Sequence, residues 1–221
     1  MDSTKRVVII GAGGHAREVA DLFRHQAHNG RGVSPLGFVV ESGHPAPETC
    51  YDLPILGDWS WFDSADRRDI PVICAVGDPA VRKRLVQRAI ELGLGFTTAV
   101  SPLAYVAPTA CIDQGAMIFP YAVISTRVSV GHHSIINAAS TISHDGKISD
   151  FVTISPGVHV AGNVSIGEGC FLGIGANVIE RVSIDSWTIV GAGATVVNDL
   201  PASVTAVGIP ARPIKTRERN S

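Results

Sequence analysis

The chain is poor in the residues that mark secreted, metal-binding or nucleic-acid-binding proteins. Only four of its 221 residues are cysteines, at positions 50, 74, 111 and 170, and no C-x-x-C pair occurs. This spacing argues against a disulfide framework or a zinc site and suits a reducing cytoplasm. The formal net charge of -2 gives no indication of a nucleic-acid partner. We therefore predict a cytoplasmic protein that uses no metal.

Long hydrophobic runs are also missing. No segment approaches the roughly 18 apolar residues of a membrane-spanning helix. The first residues, MDSTKR, lead directly into a short strand-like run without an apolar leader. The sequence therefore predicts neither a membrane span nor a signal peptide. With 45% hydrophobic and 17% charged residues, the chain is able to bury a core.

Strand-like and helix-like segments alternate over residues 1–98. RVVII, PLGFVV and PVICAV are typical of buried strands, whereas HAREVADLFRHQ and PAVRKRLVQRAIELG have the spacing of helices. The second helix runs into Gly93, a residue suited to a helix C-terminus. This alternation predicts an α/β domain, a Rossmann-like half with a parallel sheet.

An aliphatic residue recurs every six positions over residues 99–200. The 17 positions, all Ile, Val or Leu, are Val100, Val106, Ile112, Ile118, Ile124, Val130, Ile136, Ile142, Ile148, Ile154, Val160, Ile166, Leu172, Val178, Ile184, Val190 and Val196. This period is the signature of a parallel β-helix, in which three hexads close one triangular coil of 18 residues. Residues 201–221 follow as a proline-bounded, basic C-terminal tail, for which we expect a mobile end.

The β-helix pattern places a histidine and an acidic residue at one coil corner. His144 lies two residues after the inward Ile142, and Asp145 follows it. A neutral imidazole can take a proton from an attacking amine or hydroxyl, and a carboxylate can fix its tautomer. Gly162 lies one coil further on, so its N–H is a candidate oxyanion donor. The alternatives are a solvated surface pair and a corner glycine needed only for its backbone angles.

The N-terminal stretch VVIIGAGGHAREVADLF carries a phosphate-binding signature. Gly11, Gly13 and Ala16 fit the G-x-G-x-x-G/A pattern of dinucleotide-binding domains. The nearest acidic residue for a ribose, Glu41, comes later than that pattern expects, and a domain of this size has no second half to hold nicotinamide. We therefore expect the turn to hold a pyrophosphate at a helix N-terminus, with His15 as an added donor.

Three segments together resemble one protein family. They are VVIIGAGGHAREVADL, AVGDPAVRKRL and INAASTISHDGKISDFVTISPGVHVAGNVSIGEGCFLGIGANV. They look like the sugar acyltransferases that include bacterial nucleotide-amino-sugar N-acetyltransferases, as in bacillosamine and perosamine pathways, and sialic-acid O-acetyltransferases. The resemblance covers about residues 5–214. It implies a left-handed β-helix, a homotrimer with a site between subunits, and acetyl-CoA as co-substrate.

The resemblance also implies roles for individual residues. His144 matches the general base, Asp145 the adjacent acid, Asn137 a recurring active-site asparagine, and Gly162 the glycine whose amide faces the acyl carbonyl. Some relatives have a second histidine where this chain has Thr153. Either Thr153 hydrogen-bonds in its place, or the acceptor and the thioester are held differently. The residues expected to line the CoA site are Thr153, Gly162, Gly175, Ala176, Gly193 and Ala194.

We predict direct N-acetylation of a nucleotide-linked amino sugar in a ternary complex. The residues expected to bind this substrate are Gly11, Gly13, Gly14, His15, Glu41, Gly77 and Arg82. O-acetylation of a sialic acid or another sugar, and a non-catalytic nucleotide-sugar-binding scaffold, remain alternatives. The adjacent His132 and His133 lack evident further metal ligands in the sequence, which favours a surface role.

Overall fold

The structure is a computed structural model that describes residues 5–28, 33–43, 49–50 and 52–216. Contacts divide the chain into two units, Met1–Pro102 and Leu103–Ser221. The division falls four residues after the expected change at position 98, within the first hexad of the repeat.

The first unit contains a five-stranded sheet with helices. The strands of this sheet are β1 (Lys5–Ile10), β2 (Val33–Val39), β3 (Thr49–Cys50), β4 (Leu53–Gly57) and β5 (Val72–Cys74), and a further short strand, β6 (Ala99–Val100), lies outside it. The helices are α1 (Gly14–His28), α2 (Ala65–Arg68), α3 (Pro79–Glu91) and a 3₁₀ helix (Trp59–Asp63). The sheet order is β3-β4-β2-β1-β5, and only β3 is antiparallel to its neighbour. All three predicted strands and both predicted helices are present.

Burial and capping explain the predicted elements. The last four residues of β1 are buried, as expected for a central strand of a parallel sheet. Asp78 caps α3 by accepting hydrogen bonds from Ala80 N and Val81 N. Helix α3 ends at Glu91, and Gly93 follows with a φ of +73°, so it is the C-terminal glycine that the sequence predicted.

The second unit is a parallel β-helix of two-residue strands. In chain order β7–β22 are Tyr105–Val106, Cys111–Ile112, Met117–Ile118, Val123–Ile124, Ser129–Val130, Ile135–Ile136, Thr141–Ile142, Lys147–Ile148, Thr153–Ile154, His159–Val160, Ser165–Ile166, Phe171–Leu172, Asn177–Val178, Ser183–Ile184, Ile189–Val190 and Thr195–Val196. Face I contains β7, β10, β13, β16, β19 and β22; face II contains β8, β11, β14, β17 and β20; face III contains β9, β12, β15, β18 and β21.

Each residue of the β-helix lies beside the residue 18 positions away. For example, Ile142 pairs with Ile124 on one side and Val160 on the other. The predicted inward aliphatics from Ile118 to Val196 are all buried. The three earlier ones, at positions 100, 106 and 112, are half-buried, because the prism is covered on fewer sides at its first coil.

The segment after Leu200 continues face III. β23 (Val204–Val207) pairs parallel with β21, and β24 (Arg212–Thr216) pairs antiparallel with β23. The sequence predicted a tail from residue 201, and the structure instead has strands up to Thr216 because Val204 and Ala206 are buried as the face continues. Their spacing leaves the six-residue register, which concealed these strands. Residues 217–221 lie outside the described residues.

The helices of the described residues were compared with what a membrane span requires. No helix there combines the length and the apolar character that crossing a bilayer requires.

We predict that Ile154→Ala lowers the free energy of unfolding by about 2–5 kcal/mol, because it opens a cavity where the side chain is fully buried. Chemical denaturation monitored by circular dichroism measures the change. Ile174→Ala is the matched control, since Ile174 is 64% exposed and its loss costs under about 0.5 kcal/mol. Equal losses for the two variants would contradict the assignment of inward and outward positions.

Candidate active site

The edge between faces I and II carries the His–Asp pair. The strand β13 ends at Ile142, and the chain turns through His144 and Asp145 before β14 begins at Lys147. Asp145 has a left-handed φ of +62°, which Asp tolerates better than most side chains. The turn directs both side chains outward, where His144 is 58% exposed and Asp145 is 27% exposed.

The contact between the two side chains fixes the histidine tautomer. Nδ1 of His144 lies 2.8 Å from Oδ2 of Asp145. The hydrogen bond from His144, followed by one from Arg127, holds the pKa of the Asp145 carboxyl below its ordinary value. The carboxylate is therefore ionised at neutral pH and can only accept, so Nδ1 carries a proton, and in the neutral tautomer the lone pair is on Nε2. This is the arrangement that a general base needs.

The sequence reasoning missed Arg127, one coil before Asp145. Its Nε and Nη2 lie 2.7 Å and 2.6 Å from Oδ1 of Asp145. Counting 18 residues back from Asp145 leads to Arg127, so the coil register that identified Gly162 could also have identified this arginine.

Gly162 lies under the His144 ring. A Cβ atom on Gly162 would stand 2.6 Å from both Cε1 and Nε2 of the imidazole, so only glycine admits this ring position. The Nε2 lone pair is thus beside Gly162, as the coil arithmetic predicted. The carbonyl of Gly162 accepts a hydrogen bond from Arg181 N, and among the described residues no group accepts one from its N–H. Its part as an oxyanion donor remains a prediction.

Asn137 lies away from His144 in the single chain. It is at the edge between faces III and I, which precedes β13, whereas His144 follows β13. Its Nδ2 donates to the carbonyl of Ile154 at 3.0 Å, so the side chain is held against the next coil. Its predicted catalytic role is therefore not supported by proximity within one chain.

Apart from Gly162, which lies beside His144, the predicted CoA residues separate into two groups. Thr153 is only 3% exposed and lies in β15 on face III, opposite the edge that holds His144, so the structure does not bring it to the His–Asp pair. Gly175 and Gly193 stack at the edge between faces III and I, and a Cβ added to either would meet no atom within 4 Å. Ala176 and Ala194 follow them with buried side chains, so only backbone is available there.

A cleft of about 310 Å³ in the first unit collects the glycine turn. Six of the seven predicted substrate-binding residues line it: Gly11, Gly13, Gly14, His15, Glu41 and Gly77. The cleft lies at the N-terminus of α1, where backbone N–H groups favour an anion. Burial is the main influence on His15 and lowers its pKa, against the opposing effect of Glu18, so the ring is neutral at neutral pH.

Arg82, the seventh residue, supports the cleft from behind. It is fully buried and donates from Nη1 to the carbonyls of Val76 at 2.6 Å and Gly77 at 3.0 Å. Burial lowers the pKa of its guanidinium to about 10, so it stays charged at neutral pH. Arg82 therefore shapes the rim instead of closing over a ligand, which corrects the expected direct contact.

Glu41 has a partner that the sequence did not suggest. Arg84 of α3 makes a bidentate ion pair with it, with N–O distances of 2.6 Å and 2.9 Å. The two residues are 43 positions apart, and no local pattern connects them. The Glu41 carboxylate that lines the cleft is therefore already paired with a guanidinium.

His132 has two carboxylate neighbours at the edge between faces II and III. Nδ1 lies 3.7 Å from Oδ2 of Asp113 and 3.4 Å from Oδ1 of Asp150. Further ligands for this histidine were not evident from the sequence, whereas the structure brings these two near it. Solvated groups of this kind are common without a metal, and we assign none here. The surface role expected for His133 is wrong, because this ring is buried and stacks on Phe151.

A family model of the PglD N-terminal domain matches residues 6–89. The chain resembles GDP-perosamine N-acetyl transferase from Caulobacter crescentus, solved as a His-to-Ala mutant with CoA and GDP-perosamine. The TM-score is 0.87 at 33% identity, covering 95% of this chain and 96% of that one.

Two further relatives are also acetyltransferases. The acetyltransferase domain of PglB from Neisseria gonorrhoeae FA1090, solved with acetyl coenzyme A, gives a TM-score of 0.86 at 30% identity, covering 96% of this chain and 100% of that one. UDP-N-acetylbacillosamine N-acetyltransferase from Bacillus subtilis strain 168 is 35% identical over 126 residues, which are 52% of this chain. The chain spans 27% and 51% of the lengths of two curated relatives that it matches.

The chain belongs to the hexapeptide-repeat sugar acyltransferase family. The predicted fold class, an α/β domain followed by a left-handed parallel β-helix, is confirmed.

We predict that Gly162→Ala lowers kcat on the order of 100-fold, because the added methyl displaces the His144 ring. Steady-state kinetics and a thermal melt measure the effect together. Gly95→Ala is the matched control, because its Cβ meets nothing within 4 Å and its φ is not left-handed. A Gly162→Ala protein with wild-type kcat would contradict the packing of the His144 ring over this glycine.

We predict that Gly13→Val weakens binding of a nucleotide-linked sugar at least about 10-fold, because the side chain enters the cleft while meeting no protein atom within 4 Å of its Cβ. Calorimetric titration measures the dissociation constant. Gly95→Val controls for the added side chain. Unchanged affinity in the folded Gly13→Val protein would place the ligand elsewhere.

Proposed function

We propose that this protein is an acetyl-CoA-dependent N-acetyltransferase acting on the amino group of a nucleotide-linked amino sugar. The observation that carries the proposal is the His144–Asp145 pair, with the imidazole ring packed over Gly162 one coil away. A base and an uncovered backbone donor at neighbouring coils suit acyl transfer.

The proposed reaction is a direct transfer. The sugar amine attacks the thioester carbonyl carbon, and a C–N bond forms as Nε2 of His144 removes a proton from the nitrogen. The tetrahedral oxyanion is held by Gly162 N–H, and its collapse breaks the C–S bond. The imidazolium returns the proton to the departing CoA sulfur, so His144 ends neutral.

The three cysteines whose side chains the structure describes give no reason to invoke an acyl-enzyme. Burial raises the pKa of the thiols of Cys74 and Cys170 to about 12, so neither is a thiolate at neutral pH. Cys111 is exposed in β8, on face II, and no basic group contacts it among the described residues.

The substrate class is supported by the cleft and by the relatives. A pyrophosphate would accept hydrogen bonds from the turn at Gly13 and Gly14, at the N-terminus of α1. The Caulobacter relative was solved with CoA and GDP-perosamine, and the Neisseria relative with acetyl coenzyme A. One relative of this fold was therefore solved with a nucleotide amino sugar, and the other with an acetyl thioester.

A homotrimer and a cytoplasmic location complete the proposal. Within one chain, Asn137 and the stacked Gly175 and Gly193 lie at a different edge from His144, and a site assembled between subunits would bring such edges together. Three cysteines of the described residues, Cys74, Cys111 and Cys170, are free, which suits a reducing compartment. Size-exclusion chromatography with light scattering tests the trimer.

We predict that His144→Ala reduces kcat on the order of 100- to 10,000-fold while binding of CoA and of the nucleotide sugar persists. CoA release is measured with UDP-, GDP-, dTDP- and CMP-linked amino sugars, and binding is measured by calorimetry. His132→Ala, an exposed histidine at another edge, is the control that retains activity.

Three outcomes would overturn the proposal. Near-wild-type turnover by folded His144→Ala protein rejects the base. Acetylation of hydroxyl-bearing sugars but not amino sugars indicates an O-acetyltransferase. Binding of nucleotide sugar without any binding of acetyl-CoA indicates a non-catalytic protein.

A further inference from the structure

The Asp145 carboxylate is shared between two basic side chains. Oδ2 faces Nδ1 of His144 at 2.8 Å, and Oδ1 receives Nε and Nη2 of Arg127 at 2.7 Å and 2.6 Å. We infer that Arg127 is a positioning residue, which acts through Asp145 to orient the His144 ring and to adjust its basicity. This inference rests on the proposed function and adds a residue to it.

The coil register explains how Arg127 reaches its position. β11 begins two residues after Arg127, and β14 begins two residues after Asp145, and these strands pair in register. Both residues also have left-handed φ angles, +56° and +62°, so their side chains leave the edge in the same direction. The backbone of Arg127 is fixed in turn by its N–H, which donates to Oγ1 of Thr109 at 3.2 Å.

A carboxylate bound only to the histidine could rotate and exchange its oxygens. The two N–H groups of Arg127 both occupy Oδ1, so Oδ2 alone is directed at Nδ1. The ring is then held from two directions, by Asp145 at Nδ1 and by Gly162 beneath Cε1 and Nε2. This leaves the Nε2 lone pair in one orientation.

Arg127 also opposes the electrostatic effect of Asp145 on the imidazole. A carboxylate alone favours the protonated ring, and a protonated His144 cannot act as a base. The other charged groups near this edge are Lys147 at the start of β14, and Glu180 with Arg181 two coils beyond the pair. Among the described residues, Arg127 contacts Asp145, whereas Lys147, Glu180 and Arg181 do not.

The test is the titration of the His144 ring by NMR in wild type and variants, with His144→Ala to identify the signal. Arg127→Gln is expected to raise the midpoint by about half a pH unit, since a cation a few ångströms away is removed at partial exposure. The acid limb of kcat/KM is expected to move to higher pH by the same amount, and kcat to fall about 10-fold.

Two variants provide controls. Arg127→Lys restores the charge with fewer donors, so the midpoint returns towards wild type while kcat recovers only in part. Arg181→Gln removes the same charge from the same edge without touching Asp145, and it is expected to move the midpoint much less. In an Asp145→Asn background, Arg127→Gln is expected to add little further loss of kcat, since both act through one carboxylate.

The inference is overturned if Arg127→Gln leaves both the midpoint and kcat unchanged, if Arg181→Gln shifts the midpoint equally, or if the losses add fully in the double variant. The ring titration needs no substrate. A wild-type protein that acetylates none of the amino sugars would therefore reject the proposed function while the midpoint shift still tests Arg127.

Discussion

The 18-residue register of the β-helix is the constraint on which the candidate site depends. Each strand pairs in parallel with the strands one coil before and one coil after, so residues 18 apart are held one layer apart. Arg127 and Asp145 are related in this way, and so are His144 and Gly162. The site needs no loop or lid to assemble these four groups, because the backbone hydrogen bonds that build the solenoid also fix the site's geometry.

The sequence was most informative where a periodic pattern and a local signal agreed. The six-residue repeat predicted the β-helix, and the inward positions are buried as expected from Ile118 onwards. The strands after Leu200 were missed because Val204 and Ala206 leave the six-residue spacing. Similarly, β4 and the 3₁₀ helix have no strong period, and tertiary packing of Trp59 and Phe62 defines that region.

The candidate site was predictable to the extent that it follows the coil. His144, Asp145 and Gly162 could be placed by counting residues, and Arg127 could have been. Arg84 could not, because its contact with Glu41 joins a helix to the end of a strand 43 residues away in the chain. Burial could not be read from residue type either: Arg82 and Thr153 are polar, and both are enclosed. Their roles are therefore structural within the single chain.

The packing of the imidazole over Gly162 limits how this part of the sequence can change in length. A single residue inserted between Arg127 and Gly162 must bulge out at an edge, or every later coil rotates against the earlier ones. In the second case Arg127 loses Asp145, or His144 loses the space above its glycine, although each residue is still present. This stretch can therefore change length only by whole coils or by loops that protrude at an edge.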